Sequence, residues 1–396
     1  MAVERTNAVG ISCKRLRNMR GRLTYLLHCG FGQVPQNVDK FASTFVVFGR
    51  SSFLLSIRYS CKVTFTMANK TLTLAKKAKN DEFYTQLGDI EREMKHYKQH
   101  FKGKTVLCNC DDPRVSNFFK YFALNFELLG LKRLIATCYK SKEINTFSQN
   151  NSEQAVYIVY EGDKNDNHIV DNEEIEVKPL KGDGDFRSKE CIELLKQADI
   201  VVTNSPFSLF REYVAQLMEY GKKFVIIGNQ NAITYKEIFP YLRNNEIWIG
   251  YGFGDMGFKV PDYFEPRATR FWIDGTGQKW RSFGNICWFT NLDIQKRHED
   301  LILYKRYNPE EYPKYDNYDV IDVNKVKEIP VDYDGVMGVP ITFMDKFNSA
   351  QFEIIGMAED NGKGYSGTEA KWDGINPHCV INGKNKFKRI FIKRIK

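Results

Sequence analysis

Asp199-Ile200-Val201-Val202-Thr203-Asn204-Ser205-Pro206-Phe207 carries an apolar run directly into a polar loop stiffened by one proline. A short apolar run bounded by loop formers suits a strand covered on both faces, and such strands belong to parallel sheets. Downstream, Ser208 is placed to cap a helix with Leu209, Phe210, Tyr213, Val214, Leu217 and Met218 on one face, closed by Gly221. Phe224-Val225-Ile226-Ile227 is the next strand. Upstream the same order occurs. Lys104-Thr105-Val106-Leu107-Cys108 is a strand, Asn109 to Pro113 a loop, and Phe118, Phe119, Phe122, Phe126 and Leu129 one helical face that stops at Gly130. Lys132 to Tyr139 returns as a strand, which completes a βαβ unit. Between the two units lie an expected hairpin (Ala155–Glu161 and Glu174–Leu180) and a helix capped by Ser188. Residues 104–260 are therefore expected to form an α/β fold with a doubly wound, mostly parallel sheet, whose ligands bind outside the carboxyl ends of the strands.

The flanks differ from this core. Residues 1–66 hold ten basic and two acidic side chains, while the rest of the chain is nearly balanced, so the net charge of +9 is no global field for nucleic acid. This segment is acid-poor and lacks sustained periodicity. It is read as a doubtful extension ahead of a start at Met67, with a targeting peptide or a basic arm as the alternatives. Asp89 to His100 reads as a charged helix. After 260 the texture becomes β-rich: Arg270 to Ile273, a turn at 274–277, and Trp280 through Phe289 suggest a hairpin. The Tyr/Pro/Asp-rich stretch 304–319 reads as a loop packed by its own aromatics, and Phe352–Ile355 as a short strand. The tail from Lys384 to Lys396 has seven basic residues and no acid, and reads either as a nucleic-acid contact or as a solvated end. No apolar run spans a bilayer. Nine cysteines without a disulfide framework point to a reducing cytoplasm.

The chemistry sits in Asn204-Ser205-Pro206-Phe207. An aromatic amine is a poor nucleophile because its lone pair is delocalised into the ring. Acceptors aimed at its two hydrogens draw it towards tetrahedral geometry, and an Asn side-chain oxygen with a backbone carbonyl on a stiff turn supplies them. Phe207 offers a stacking surface to a flipped base. In-line transfer of a methyl group then needs positioning rather than a metal or a strong base. His96 and His100 lie at helical spacing without a third ligand, and Cys108-x-Cys110 has the wrong spacing for zinc, so no metal site is expected.

Asn204-Ser205-Pro206-Phe207 resembles the Asn-Pro-Pro-Phe/Tyr motif of amino-methyltransferases. Together with Asn80-Asp81-Glu82-Phe83-Tyr84-Thr85, Cys108 to Arg114, Gly184-Asp185-Phe186-Arg187-Ser188 and Tyr251-Gly252-Phe253-Gly254, it resembles the adenine-specific EcoRI modification methylase family over roughly 70–355, in order. That resemblance implies a Rossmann-like methyltransferase core at 67–260 and a target-recognition region at 261–396. It also implies methylation of adenine N6 in double-stranded DNA with S-adenosylmethionine, as the protective partner of a separately acting restriction endonuclease. Asn204, Ser205, Pro206 and Phe207 would form the catalytic loop. Phe83, Tyr84 and Thr85, in the segment from Asn80, would line the methionine end of the cofactor, unless that segment merely starts a helix. In the glycine-free loop Asn109, Cys110, Asp111, Asp112 and Pro113, either Asp could pair with the cofactor's cationic amino-acid moiety or cap the following helix. Asp185 and Phe186 would hold the cofactor's adenine, or form a Gly/Asp turn. The strand Ile135 to Tyr139 carries no ribose-binding acid before Glu143. Ser205 departs from the family's Pro, which loses a fixed φ while Pro206 keeps Ser205 extended. Cytosine N4, an RNA adenine or a protein glutamine remain alternative acceptors, and a catalytically impaired DNA-binding member is a further alternative.

Overall fold

In the computed structural model the chain divides into two compact units, Met1–Thr64 and Phe65–Lys396. The described residues are 4–6, 11–17, 23–29, 85–110, 113, 116–138, 155–165, 170, 174–259, 266, 268–359, 364–365, 367 and 370–395. In the first unit, β1 (Glu4–Thr6), β2 (Ile11–Arg17) and β3 (Leu23–Cys29) form an antiparallel sheet.

The second unit is built on a nine-stranded sheet. Its strands are β4 (Thr105–Cys108), β5 (Arg133–Thr137), β6 (Val156–Tyr160), β7 (Glu176–Pro179), β8 (Ile200–Asn204), β9 (Lys223–Asn229), β10 (Trp248–Lys259), β11 (Phe271–Ile273) and β12 (Lys279–Thr290). The order is β10-β12-β9-β8-β4-β5-β6-β7, with β11 on the outer part of β12. The neighbours β9, β8, β4 and β5 run parallel, and antiparallel strands flank them on both sides. The expected hairpin is β6–β7. Because β12 belongs to this sheet, the sheet continues past residue 260, where the sequence changes texture.

Alternation along each central strand explains the two covered faces. Val106, Cys108, Leu134, Ala136, Val202, Val225, Ile227 and Trp288 enter one core, with Phe118, Phe119 and Phe122 of α2 (Asn117–Leu124) and Ile90 and Met94 of α1 (Leu87–Met94). Leu107, Ile135, Val201, Phe224, Ile226 and Phe289 enter the other, with Leu195 of α4 (Lys189–Gln197) and Phe210, Tyr213 and Leu217 of α5 (Phe210–Glu219). A short α3 (Phe126–Leu129) follows α2.

Three local expectations change. The charged helix at 89–100 is α1 followed by a 3-10 turn, Lys98–His100. Ser208 does not cap a helix: a 3-10 turn at Phe207–Leu209 intervenes, and α5 begins behind Leu209, which has no side-chain acceptor. The basic tail is solvated only in part. Residues Arg389–Arg394 form β16, which lies in a four-stranded sheet between β14 (Met337–Pro340) and β15 (Phe352–Met357), with β13 (Ile321–Asp322) beyond β14. Ile390 and Ile392 join the core on the α4–α5 face of the large sheet, and buried Arg389 pairs with buried Asp322 at 3.1 Å. A buried ion pair and the buried Ile390, Phe391 and Ile392 anchor a segment whose composition alone suggests solvent.

Candidate active site

Asn204 is the last residue of β8, in register with Ile227 of β9, so it stands at the carboxyl edge of the parallel strands. Its side chain is buried, and its Oδ1 meets no hydrogen-bond partner among the described residues. Leaving a buried amide oxygen unpaired costs about 1–3 kcal/mol, which marks a place where a donor from a ligand belongs. Ser205 is also buried, and its hydroxyl donates to the Ile227 carbonyl at 2.7 Å. That bond ties the turn to the neighbouring strand. Pro206 is extended (φ −66°, ψ 112°), and its carbonyl accepts from the Leu209 N–H at 3.0 Å. Phe207 is half-buried against the core on the α1–α2 face.

The loop after β4 is fixed to this turn. The Thr203 hydroxyl donates to the Asn109 carbonyl, and the buried Tyr213 hydroxyl of α5 donates to Asn109 Oδ1 at 2.5 Å. Burial pushes the Tyr213 phenol well above its ordinary pKa, so it remains a donor. Cys110 adopts φ +83°, the left-handed turn that a glycine would otherwise make, at a cost of roughly 1–2 kcal/mol. Pro113 is buried. Asp111 and Asp112 lie outside the described residues. The helix cap, left open between them and a ligand role, belongs to neither: Ser116 accepts from Phe118 N and Phe119 N at the start of α2.

Thr85 is buried, and its Oγ1 is a second polar atom without a partner among the described residues. Its carbonyl accepts from the Asn117 amide at 2.8 Å, which brings the segment before α1 to the start of α2. Asn80, Phe83 and Tyr84 lie outside the described residues.

Asp185 and Phe186 reach the same edge from the loop before α4. Gly184 (φ +79°) packs so close to the end of β5 that an added Cβ would lie 2.2 Å from the Cys138 carbonyl. Phe186 is buried and meets Tyr213 edge-on, 5.1 Å between ring centres. The Asp185 carboxylate is half-buried and accepts from Arg187 Nε at 2.9 Å and from its terminal nitrogen at 2.7 Å, and these bonds hold its pKa below the usual carboxylate value. Arg187 in turn bonds Glu212 of α5 at 2.7 Å.

Asn109, Phe186, Asn204 and Ser205 thus gather at one sheet edge, with Tyr213 and Thr203 as the links. Sequence reasoning placed Tyr213 only on an apolar helix face and did not single out Thr203, Asn117 or Arg187. No local pattern could reveal a hydroxyl reaching across 104 positions to Asn109. Among the described residues no cluster of His, Cys, Asp or Glu is arranged to hold a metal ion. His96 instead stacks on Tyr251, 3.4 Å between ring centres, and His100 Nε2 lies 2.7 Å from the Asp293 carbonyl. No helix among the described residues is long and apolar enough to cross a membrane.

Comparison with known proteins places this geometry in context. The family profile described as adenine-specific methyltransferase EcoRI matches residues 71–395. Type II methyltransferase M.EcoRI of Escherichia coli is 52% identical over 329 residues, covering 82% of this chain and 96% of that protein. Type II methyltransferase M.MgeORF184P of Mycoplasma genitalium is 38% identical over 338 residues, covering 81% of this chain and 97% of that protein. M.MpnI of Mycoplasma pneumoniae is 43% identical over 287 residues, covering 71% of this chain and 83% of that protein. No solved structure gives a significant match.

Proposed function

Because the chain belongs to the EcoRI adenine-specific methyltransferase family, we propose that it methylates adenine N6 at a specific site in double-stranded DNA. It does so as the modification half of a type II restriction–modification pair, with the endonuclease acting separately. The observation that carries the mechanism is the unpartnered Asn204 Oδ1 at the carboxyl edge.

The target adenine is flipped out of the duplex, and its amine donates one hydrogen to Asn204 Oδ1 and the other to the Ser205 main-chain carbonyl. Both acceptors are pre-set: Asn204 by its strand, Ser205 by its hydroxyl bond to the Ile227 carbonyl. Phe207 lies under the flipped ring. Two orphaned buried polar atoms, Thr85 Oγ1 and Asn204 Oδ1, suit contact with polar ligands better than a dry core. The methyl donor is S-adenosylmethionine, whose sulfonium supplies an electrophilic methyl group. Thr85 and the Asn109–Pro113 loop would hold its amino-acid end, Asp185 would accept from its adenine amine, and Phe186 would pack on that ring. Arg187 keeps Asp185 ionised and oriented for this contact.

Incubation with methyl-labelled S-adenosylmethionine and unmethylated duplex DNA, followed by digestion to nucleosides, tests the reading. Label in N6-methyladenine is expected. Label confined to N4-methylcytosine, RNA or protein contradicts it.

A further inference from the structure

β12 pairs with β9 only from Ile286 to Thr290, where Ile286 lies opposite Asn229. Asn204 is level with Ile227. Lys279 to Gly284 therefore project beyond the edge that carries Asn204, together with Gly257 to Lys259 of β10 on one side and β11 on the other. Six or seven residues at extended rise carry this three-stranded arm roughly 20 Å past the last contact with β9.

The arm has a built face. Trp272 and Trp280 are cross-strand partners whose rings lie parallel, 5.9 Å between centres and 5° apart. A glycine lies beneath Trp272 and another beneath Arg270. A Cβ on Gly257 would lie 3.1 Å from the Trp272 ring, and one on Gly284 would lie 2.1 Å from the Arg270 guanidinium. Trp272 and Arg270 thus lie flat on the sheet, and Trp280 is fixed by its indole N–H donating to Asp274 at 2.8 Å. Trp272 is nevertheless 42% exposed. Arg270 is exposed and only loosely paired with Asp255 at 3.7 Å. A large apolar ring held open to solvent beside a cation marks a contact surface rather than a core. Its opposite face is anchored by buried Met256 and Phe258.

We propose that this face of the arm, with Trp272 and Arg270 at its centre, packs against the duplex flanking the flipped adenine. The inference rests on the function proposed above. Position and chemistry both select nucleic acid: the arm leaves the same edge as Asn204, and a planar ring beside a guanidinium suits sugar and phosphate surfaces. Two outer strands about 10 Å apart, with their side chains, are too wide for a major groove of about 12 Å. The arm therefore lies along the backbone, and its contribution to affinity is independent of base sequence.

Titration of dye-labelled duplexes with the full chain, followed by anisotropy at several salt concentrations, tests this. Trp272→Ala should weaken binding about tenfold on cognate and unrelated duplexes alike. Arg270→Gln, which removes an exposed charge and spares the apolar face, should lower the salt slope by about one. S-adenosylmethionine affinity should stay unchanged for both, and the unfolding midpoint should stay unchanged for Arg270→Gln. Duplex affinity within about twofold of the unaltered chain for both variants would overturn the assignment. So would a change confined to sedimentation, which would make the face a contact between copies. Absence of duplex binding and methyl transfer by the unaltered chain would instead overturn the function proposed above, and the arm's role with it.

Discussion

Asn204 and Ser205 sit side by side and divide two tasks: one leaves a buried oxygen open, and the other closes a bond to the next strand. The Ser205 hydroxyl thereby replaces, by a hydrogen bond to Ile227, part of the stiffness a proline would give. Ser205→Ala should lower stability by about 0.5–1.5 kcal/mol in denaturant unfolding and reduce the transfer rate, because the Ile227 carbonyl loses its donor and the turn loosens. The sequence marks Ser205 as a departure from the family motif but not its partner, since Ile227 lies on a different strand. Asp185 carries a pH dependence. Bonds from Arg187 hold its pKa below the ordinary carboxylate value, so the ionised form is the favoured one in the folded chain. The contribution is present above the unfolded pKa and lost as pH falls through the lower folded pKa. S-adenosylmethionine affinity should thus stay level from neutral pH down to about pH 4, and Asp185→Asn should weaken it across that whole range. Calorimetric titration at several pH values measures both.

At the scale of elements, α1 is clasped to β10. Buried Glu93 accepts from Tyr251 N and Tyr97 OH at 2.8 Å and from Gly252 N at 2.7 Å, where the β10–β12 register shifts between Ile249 and Phe253. Burial pushes the Glu93 carboxyl up, and these three donors oppose the push. Glu93→Gln turns one acceptor into a donor facing another donor, and should cost about 1–3 kcal/mol, read from the midpoint of urea unfolding. An unchanged midpoint would show that the clasp adds no stability. Its charged residues made α1 legible as a charged helix, yet nothing local marks Glu93 as buried, because its three partners come from a tertiary contact. The tail misread for the same reason. Its lysines dominate the composition, while Ile390-Phe391-Ile392 become core only once β14 and β15 lie beside them. By contrast, β4, β8 and β9 were plain in the sequence, because strands covered on both faces need apolar residues at every position.

For the whole molecule, the compact unit Phe65–Lys396 contains the sheet and every described candidate site residue. The family match begins at residue 71. A chain shortened to begin at Met67 should therefore fold and transfer methyl groups at the rate of the full chain, measured by label incorporation into duplex DNA. A loss of more than about tenfold would place residues 1–66 within the working structure. The α/β architecture was legible because strand–loop–helix order recurs along the chain. The antiparallel flanks were less so, because pairing across the sheet has no local signature. In the proposed mechanism Asn204 grips the adenine amine and does not hold the cofactor. Asn204→Ala, assayed side by side for methyl transfer to duplex DNA and for calorimetric binding of S-adenosylmethionine, separates the two. Transfer should fall by roughly a hundredfold to a thousandfold with cofactor affinity unchanged; loss of cofactor binding, or transfer at the unaltered rate, would rule out this role for Asn204.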